Sequence, residues 1–543
     1  MKISLKSRIV SAAAVVAVAG TVVVGAPTAA NAAPLCATAN FVTQCGGVGA
    51  DGAPYAFIAA ANFNGTVFVY SHGVRPPLNI PATLAPVGPY TMTNAAEPGP
   101  GASSGDLSII NKLVAAGYGV AGSGFSRQGI NTAEALAANK ELIATFMAKF
   151  PTTNTVIAWG SSLGAMHSQM LAEKHPELVD GVILACPAAN PQDALMAYFG
   201  DALWGFKALF DPTIKVGGYS TDPVVRQQEQ LANVGKILTV LKKLSDGLVS
   251  GAWPDTASPA GKALQAAGVP SRSALLAVGL MAGVPTRSKH VDGTTGPTGA
   301  AETYPLAIAP AVGVLENMGS TLNYGTLLIA DGELLTGGKV YDNTKTDYAA
   351  RIAADADIFS FALSGNTAVA GILGALAATP RETADAAAVA KIPSIVGLSG
   401  KITKPTMIFQ SESDEFVPAS IVQWYIDTYA EQYAAEKMKA MTEAKKSRNY
   451  VAPKNNLVVL WQKTAAKYSK FTATGSPDLA ATQGAGTGHC AFTADQWLAA
   501  ANLMTTTLKD GRFPLGGKIT STARKVGLSY DNKFRVPLFK SLQ

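Results

Sequence analysis

From residue 64 to about 187, short apolar, β-branched runs alternate with segments whose apolar positions recur every three or four residues. "GTVFVYSHG" reads as a buried strand ending at His72-Gly73. "AAGYGVAGSGF" reads as a second strand, and "TVIAWG" and "VDGVILACP" as two more. The stretches between them read as helices. One lies around residues 107–115, and another is "SLGAMHSQMLAEKHP". A third is "NTAEALAANKELIATFMAKF", with Asn131 or Thr132 as its cap and Leu136, Ile143, Met147 and Phe150 at helical spacing. Uniformly apolar strands alternating with helices imply an α/β protein whose mostly parallel sheet is covered on both faces.

The rhythm breaks at about residue 188. From there to 395 Ala, Leu and Gly dominate, and amphipathic helices such as "LANVGKILTVLKKLSDGLV" alternate with flexible stretches such as "HVDGTTGPTGAAETYP", with no clear repeat. A strand signal returns at "KPTMIFQSESDEFVPAS", followed by a long charged helix around 421–446. "NLVVLWQ" and "SKFTATG" compete for the last strand. The pattern divides the chain into two parts of one α/β core, 33–187 and 396–543, interrupted by a large, mainly helical insertion, 188–395, of the kind that forms a lid or cap. A separate middle domain is the alternative.

Composition narrows the class. The 543 residues are 48% hydrophobic and 15% charged, with mean hydropathy +0.19, which excludes a disordered chain. Part of that hydrophobicity sits at the N-terminus. Lys2, Lys6 and Arg8 precede the apolar run "IVSAAAVVAVAGTVVVGA" and the A-x-A site Ala30-Asn31-Ala32. This is the pattern of a secretory signal peptide, 1–32, and predicts export of a mature chain beginning near Ala33. An uncleaved membrane anchor is the competing reading, but the small residues and A-x-A oppose it. "APLC" before Cys36 lacks the aliphatic residue of a lipoprotein site. No later segment is apolar enough over sufficient length to span a bilayer. Removing 1–32 lowers the formal charge from +6 to +3. With no Lys/Arg stripe carrying interleaved aromatics, nucleic acid is not an expected partner. The four cysteines, Cys36, Cys45, Cys186 and Cys490, suit an oxidising compartment and leave three pairings open. No C-x-x-C or H-E-x-x-H spacing points to a metal.

The candidate chemistry centres on "TVIAWGSSLGAMHSQML", where Gly160-x-Ser162-x-Gly164 stands between a strand and a helix. That is the setting of a nucleophile elbow. The serine takes a strained backbone conformation, and side chains two positions either way would collide with neighbouring elements. The helix N-terminus also helps an oxyanion form there. A nucleophilic serine needs a base and an orienting acid. Of five histidines, His489 in the Gly-rich "GTGHCAFT" is the candidate base. His175 reads as an exposed helix end, His167 as packing, His290 as solvated in the insertion, and His72 as shaping a loop. Asp414, directly after "TMIFQ", is the candidate acid, with Asp193 in reserve, and Ser162, Asp414, His489 is the chain order of this fold's triad. Backbone N–H groups of Leu163 and Val74 are the candidate oxyanion donors, with Gly73 allowing close approach of the second.

Taken together, His72-Gly73, Gly160-x-Ser162-x-Gly164, the acid after "KPTMIFQ" and Gly488-His489 resemble the α/β-hydrolase superfamily over roughly residues 60–190 and 400–510. The "GTGHCAF" loop and the leader resemble secreted bacterial serine hydrolases, and more distantly the tannase and feruloyl-esterase group, in which a cysteine beside the serine pairs with one beside the histidine. Residue 161 here is Ser, so that pairing is absent in that form. Cys186 could tether Cys490 instead, leaving Cys36 with Cys45. The resemblance implies an α/β-hydrolase fold and acyl transfer without cofactor or metal. The first functional reading is a secreted esterase or lipase-like enzyme acting on small-molecule or polymeric esters. A secreted peptidase or amidase of the same fold is second. A non-catalytic binding protein is third, and the intact Ser162, Asp414 and His489 argue against it.

Overall fold

The computed structural model describes residues 33–188, 194–296, 307–447, 450–473 and 475–542. The expected signal peptide, 1–32, and the reserve acid Asp193 lie outside the described residues. A ten-stranded sheet runs β1 (Leu35–Ala39), β2 (Val42–Val48), β3 (Pro54–Ala60), β5 (Gly119–Ser123), β4 (Thr66–Ser71), β6 (Thr155–Ser161), β7 (Gly181–Ala185), β8 (Thr406–Ser411), β9 (Leu457–Gln462) and β10 (Ser529–Tyr530) in spatial order. The six strands from β5 to β9 are parallel, and antiparallel pairs finish both edges.

Strand periodicity sorts side chains between two cores. Val67, Val69, Val156, Ala158, Val182 and Leu184 point to one face, while Phe68, Tyr70, Ile157, Trp159 and Ile183 point to the other. The second face is covered by helices Ser108–Ala115, Ala494–Asp510 and Gly516–Arg524. The first carries helices Thr132–Lys149 and Leu163–Lys174, and its core continues without a break into the helices between β7 and β8, through Tyr198, Phe199, Leu322 and Ile329.

Several expectations shift. In helix Thr132–Lys149 Asn131 occupies the N-cap position without a capping side-chain hydrogen bond, the buried positions are Ala135, Leu142, Ile143 and Phe146 among others, and Met147 is exposed. "NLVVLWQ" holds the last long strand, β9, whereas Phe471 makes only an isolated bridge to Pro477. Strands β1 to β3 and β10 carry no clear sequence signal: β1 is exposed throughout and β2 contains two adjacent glycines. His290 is not solvated; its Nδ1 lies 2.6 Å from a Glu316 carboxylate oxygen. No helix among the described residues is long and apolar enough to cross a membrane.

Candidate active site

The strand order reverses direction around β4, with β5 on one side and β6 on the other, so the ends of β4 and β6 frame a crevice. Ser162 stands there, between β6 and helix Leu163–Lys174, with φ +57° and ψ −124°. A non-glycine residue at such angles is strained, and the surroundings must hold it there. A Cβ on Gly164 would lie 2.0 Å from the Ser71 carbonyl oxygen, and one on Gly160 would lie 2.4 Å from the Gly164 carbonyl oxygen. Any side chain at either position would push β4 and the helix off the serine.

The loop after β4 closes on the same point. A Cβ on Gly73 would stand 3.3 Å from the Ser162 Cβ. The Val74 N–H donates to nothing among the described residues, and the Leu163 N–H belongs to a helix first turn that no intrahelical carbonyl satisfies. His72 is buried, its Nδ1 2.7 Å from the Gly73 carbonyl oxygen and its ring against Phe125. Burial first, and the Arg75 charge second, push it down to about 4. His167 is fully buried behind the elbow, and burial holds it down at about 3. Both are neutral fixtures of the core.

His489 lies across the crevice. Its Nδ1 donates to the Asp414 carboxylate, at 2.9 Å from Oδ2 and 3.0 Å from Oδ1. Asp414 has no exposure at all, so it is no surface acid. Its Oδ1 also accepts the backbone N–H groups of Phe416 (2.9 Å) and Val417 (2.8 Å), which holds the carboxylate still. With Nδ1 committed, His489 Nε2 carries the free lone pair. The Phe416 ring packs on the imidazole, with centroids 4.8 Å apart. Ser162 Oγ makes no hydrogen bond among the described residues, but Ser162 and His489 line one cavity of about 260 Å³ together with Gly73 and Val74. A second cavity of about 350 Å³ meets the first at Gly73, Val74, Ser161 and Cys490, and is walled by the buried ion pair Arg75–Glu97.

Both disulfides form. Cys36 and Cys45 face each other across β1 and β2, and Cys186 at the end of β7 is joined to Cys490, directly after His489. Cys186 and Cys490 both take positive φ, +41° and +51°. The sulfurs lie close to the His489 ring, but bonded to each other they offer no thiolate to a metal. Position 161, a cysteine in the tannase-like pattern, is a serine whose Oγ shares a 2.7 Å hydrogen bond with Tyr70 OH.

Sequence reasoning missed the residues that shape the cavity: Lys289, Ser320 and Tyr324 from the helical segment, and Glu415 and Phe416 beside the acid. Only the adjacency of Glu415 to Asp414 could have drawn attention to it.

A family model described as alpha/beta hydrolase fold matches residues 117–215, which span β5 to the first helix after β7. No curated protein matches the chain in sequence. Solved structures similar to it include feruloyl esterase B from Aspergillus oryzae, at 11% identity over 90% of this chain and 86% of that one, with a TM-score of 0.37. The cell-wall degrading esterase LipA from Xanthomonas oryzae matches at 12% identity over 78% and 82%, TM-score 0.29. Tannin acyl hydrolase from Aspergillus niger matches at 13% over 90% and 82%, TM-score 0.32. With six parallel strands, a strained serine after the central one, and a match to the alpha/beta hydrolase fold model over residues 117–215, this chain has the α/β-hydrolase fold.

Proposed function

We propose that this protein is an exported serine hydrolase that cleaves carboxylic esters through Ser162, His489 and Asp414. The observation that carries the reading is the fully buried Asp414 carboxylate accepting from His489 Nδ1, with His489 and the strained Ser162 in the wall of one cavity. His489 Nε2 takes the proton from Ser162 Oγ as the oxygen attacks the ester carbonyl. Asp414 fixes the imidazole tautomer and stabilises the imidazolium. The Val74 and Leu163 N–H groups receive the developing oxyanion, a contribution on the order of 10²- to 10³-fold per donor. Collapse of the intermediate expels the alcohol, which leaves with the imidazolium proton. Water activated by His489 then cleaves the acyl-serine and restores the hydroxyl. The second cavity, adjoining at Val74 and Cys490, gives the two halves of an ester separate places.

The test is turnover of an acyl-ester panel, with matched amides beside it, by the mature protein. Ester hydrolysis that falls by roughly 10⁴-fold in Asp414→Asn and to background in Ser162→Ala supports the reading. Turnover of amides alone would make the enzyme a peptidase, and undiminished ester turnover in Ser162→Ala would remove Ser162 from the reaction.

A further inference from the structure

The cavity beside Ser162 has a polar end. Lys289, Ser320 and Tyr324 enter it from the segment between β7 and β8, and Glu415 and Phe416 from the acid loop. Glu415 is 3% exposed, yet its carboxylate is only half satisfied. Oε1 lies 3.3 Å from Lys289 Nζ, while Oε2 has no hydrogen-bond partner among the described residues. A buried carboxylate oxygen without a donor is costly, and it persists here because the backbone around it is fixed. The Glu415 carbonyl oxygen accepts from Tyr198 OH at 2.7 Å and Thr321 Oγ1 at 2.9 Å, and the neighbouring Phe416 and Val417 amides are held by Asp414.

Lys289 is anchored at its backbone, with its side chain partly exposed. Its carbonyl accepts from the Gly484 N–H at 2.8 Å, and its stem lies where a Cβ on Gly488 would come within 2.9 Å of Cε. The Tyr324 hydroxyl makes no hydrogen bond with the described residues, and the Tyr324 ring meets Phe416 edge-on at 4.9 Å. The end of the cavity thus offers a fixed acceptor, an ammonium donor and a free hydroxyl between aromatic walls. A substrate cation would face Lys289 and a substrate anion would face Glu415. A neutral hydroxyl donates to one and accepts from the other. A hydrocarbon chain in the same place would strip water from Glu415 and Lys289 and return no hydrogen bond.

We propose that Glu415, with Lys289 beside it, forms a specificity subsite that takes a substrate hydroxyl, so that the enzyme selects hydroxylated esters over their plain counterparts. The proposal rests on the ester-hydrolase reading above. The hydroxyl can belong to the acyl or the alcohol part, and two matched pairs separate these: ethyl butanoate against ethyl 3-hydroxybutanoate, and ethyl butanoate against 2-hydroxyethyl butanoate.

The experiment measures kcat/KM for each pair with wild type, Glu415→Leu and Lys289→Met. Thermal shifts of Ser162→Ala and of Ser162→Ala/Glu415→Leu with the same esters give binding without turnover. The hydroxylated member should be preferred by about 10- to 100-fold in one pair, and both variants should bring that ratio toward unity. Lys289→Met changes a partly exposed side chain and serves if Glu415→Leu does not fold. Preferential binding of a hydroxylated ester to Ser162→Ala, lost in the double variant, without turnover by wild type would keep the subsite and overturn the reaction. Equal turnover and binding within both pairs, or a preference that survives Glu415→Leu, would overturn the subsite.

Discussion

Ser162 is held at a strained positive φ by neighbours that leave no room for a side chain at Gly160 or Gly164. Gly164→Ala forces a methyl to within 2.0 Å of the Ser71 carbonyl oxygen, so it should cost about 3 kcal/mol or more. Chemical denaturation checks this; a variant as stable as wild type would mean that β4 and the helix can separate freely. The local chemistry of this turn was legible in the sequence, because strand, glycines, serine and helix are contiguous. The role of Glu415 was not, because its partner Lys289 lies far along the chain and meets it only in the folded molecule. His290 was misread for the same reason: its partner Glu316 comes from the following helix.

His167 supports a prediction about pH. Neither ring nitrogen has a partner among the described residues, and burial holds the group down at about 3 against an ordinary 6.5. Between those values the unfolded chain binds a proton that the native state does not. Stability should therefore fall as pH drops through that window, by up to about 1.4 kcal/mol per pH unit from this residue. His72, pushed down to about 4, acts in the same direction over a narrower window. Buried acids pushed upward, such as Glu415 and Asp331, act oppositely, so the informative quantity is a difference between proteins. His167→Met should be about 1 kcal/mol more stable at pH 7 and lose one proton's worth of acid sensitivity. Parallel pH profiles of the two proteins would show that His167 protonates in place.

At the scale of elements, the loop bearing His489 is held to the sheet by backbone hydrogen bonds to Ser413, by the His489–Asp414 hydrogen bond, by Phe492 against Phe409 of β8, and by the Cys186–Cys490 link. The link closes a separation of 304 residues, and chain entropy alone makes that worth roughly 6 kcal/mol. Cys186→Ala/Cys490→Ala should lower Tm and lose activity at temperatures where the protein is still folded, because the imidazole is no longer aligned. Circular dichroism and turnover measured on the same sample check this. Activity that tracks only the folded fraction would limit the disulfide to stability. The parallel strands were legible because each is apolar on both faces. The antiparallel edge was not: β1 is exposed along its length, and an exposed strand lacks the alternation that betrays a half-buried one.

At the scale of the whole molecule, the helical segment between β7 and β8 is fastened as well as packed. Asp331, 3% exposed, accepts from Arg127 and from the Ile130 N–H across that seam, and Tyr198 and Thr321 hold the acid loop. One core extends from the sheet face into this segment, so the two should unfold together. Asp331→Ala leaves Arg127 and a buried amide unpaired and should cost about 3 to 5 kcal/mol while keeping a single transition. Two separated calorimetric transitions would instead make the segment an independent domain. The sequence indicated that something helical interrupts the core, but not that it shares that core, since helical periodicity does not tell which face meets which partner.

The most direct measurement is intact-mass and peptide mapping of the mature protein after treatment with a fluorophosphonate. A single adduct is expected on the peptide containing Ser162, absent in Ser162→Ala and slowed in Asp414→Asn. An adduct on another residue, or equal labelling of wild type and Ser162→Ala, would contradict it.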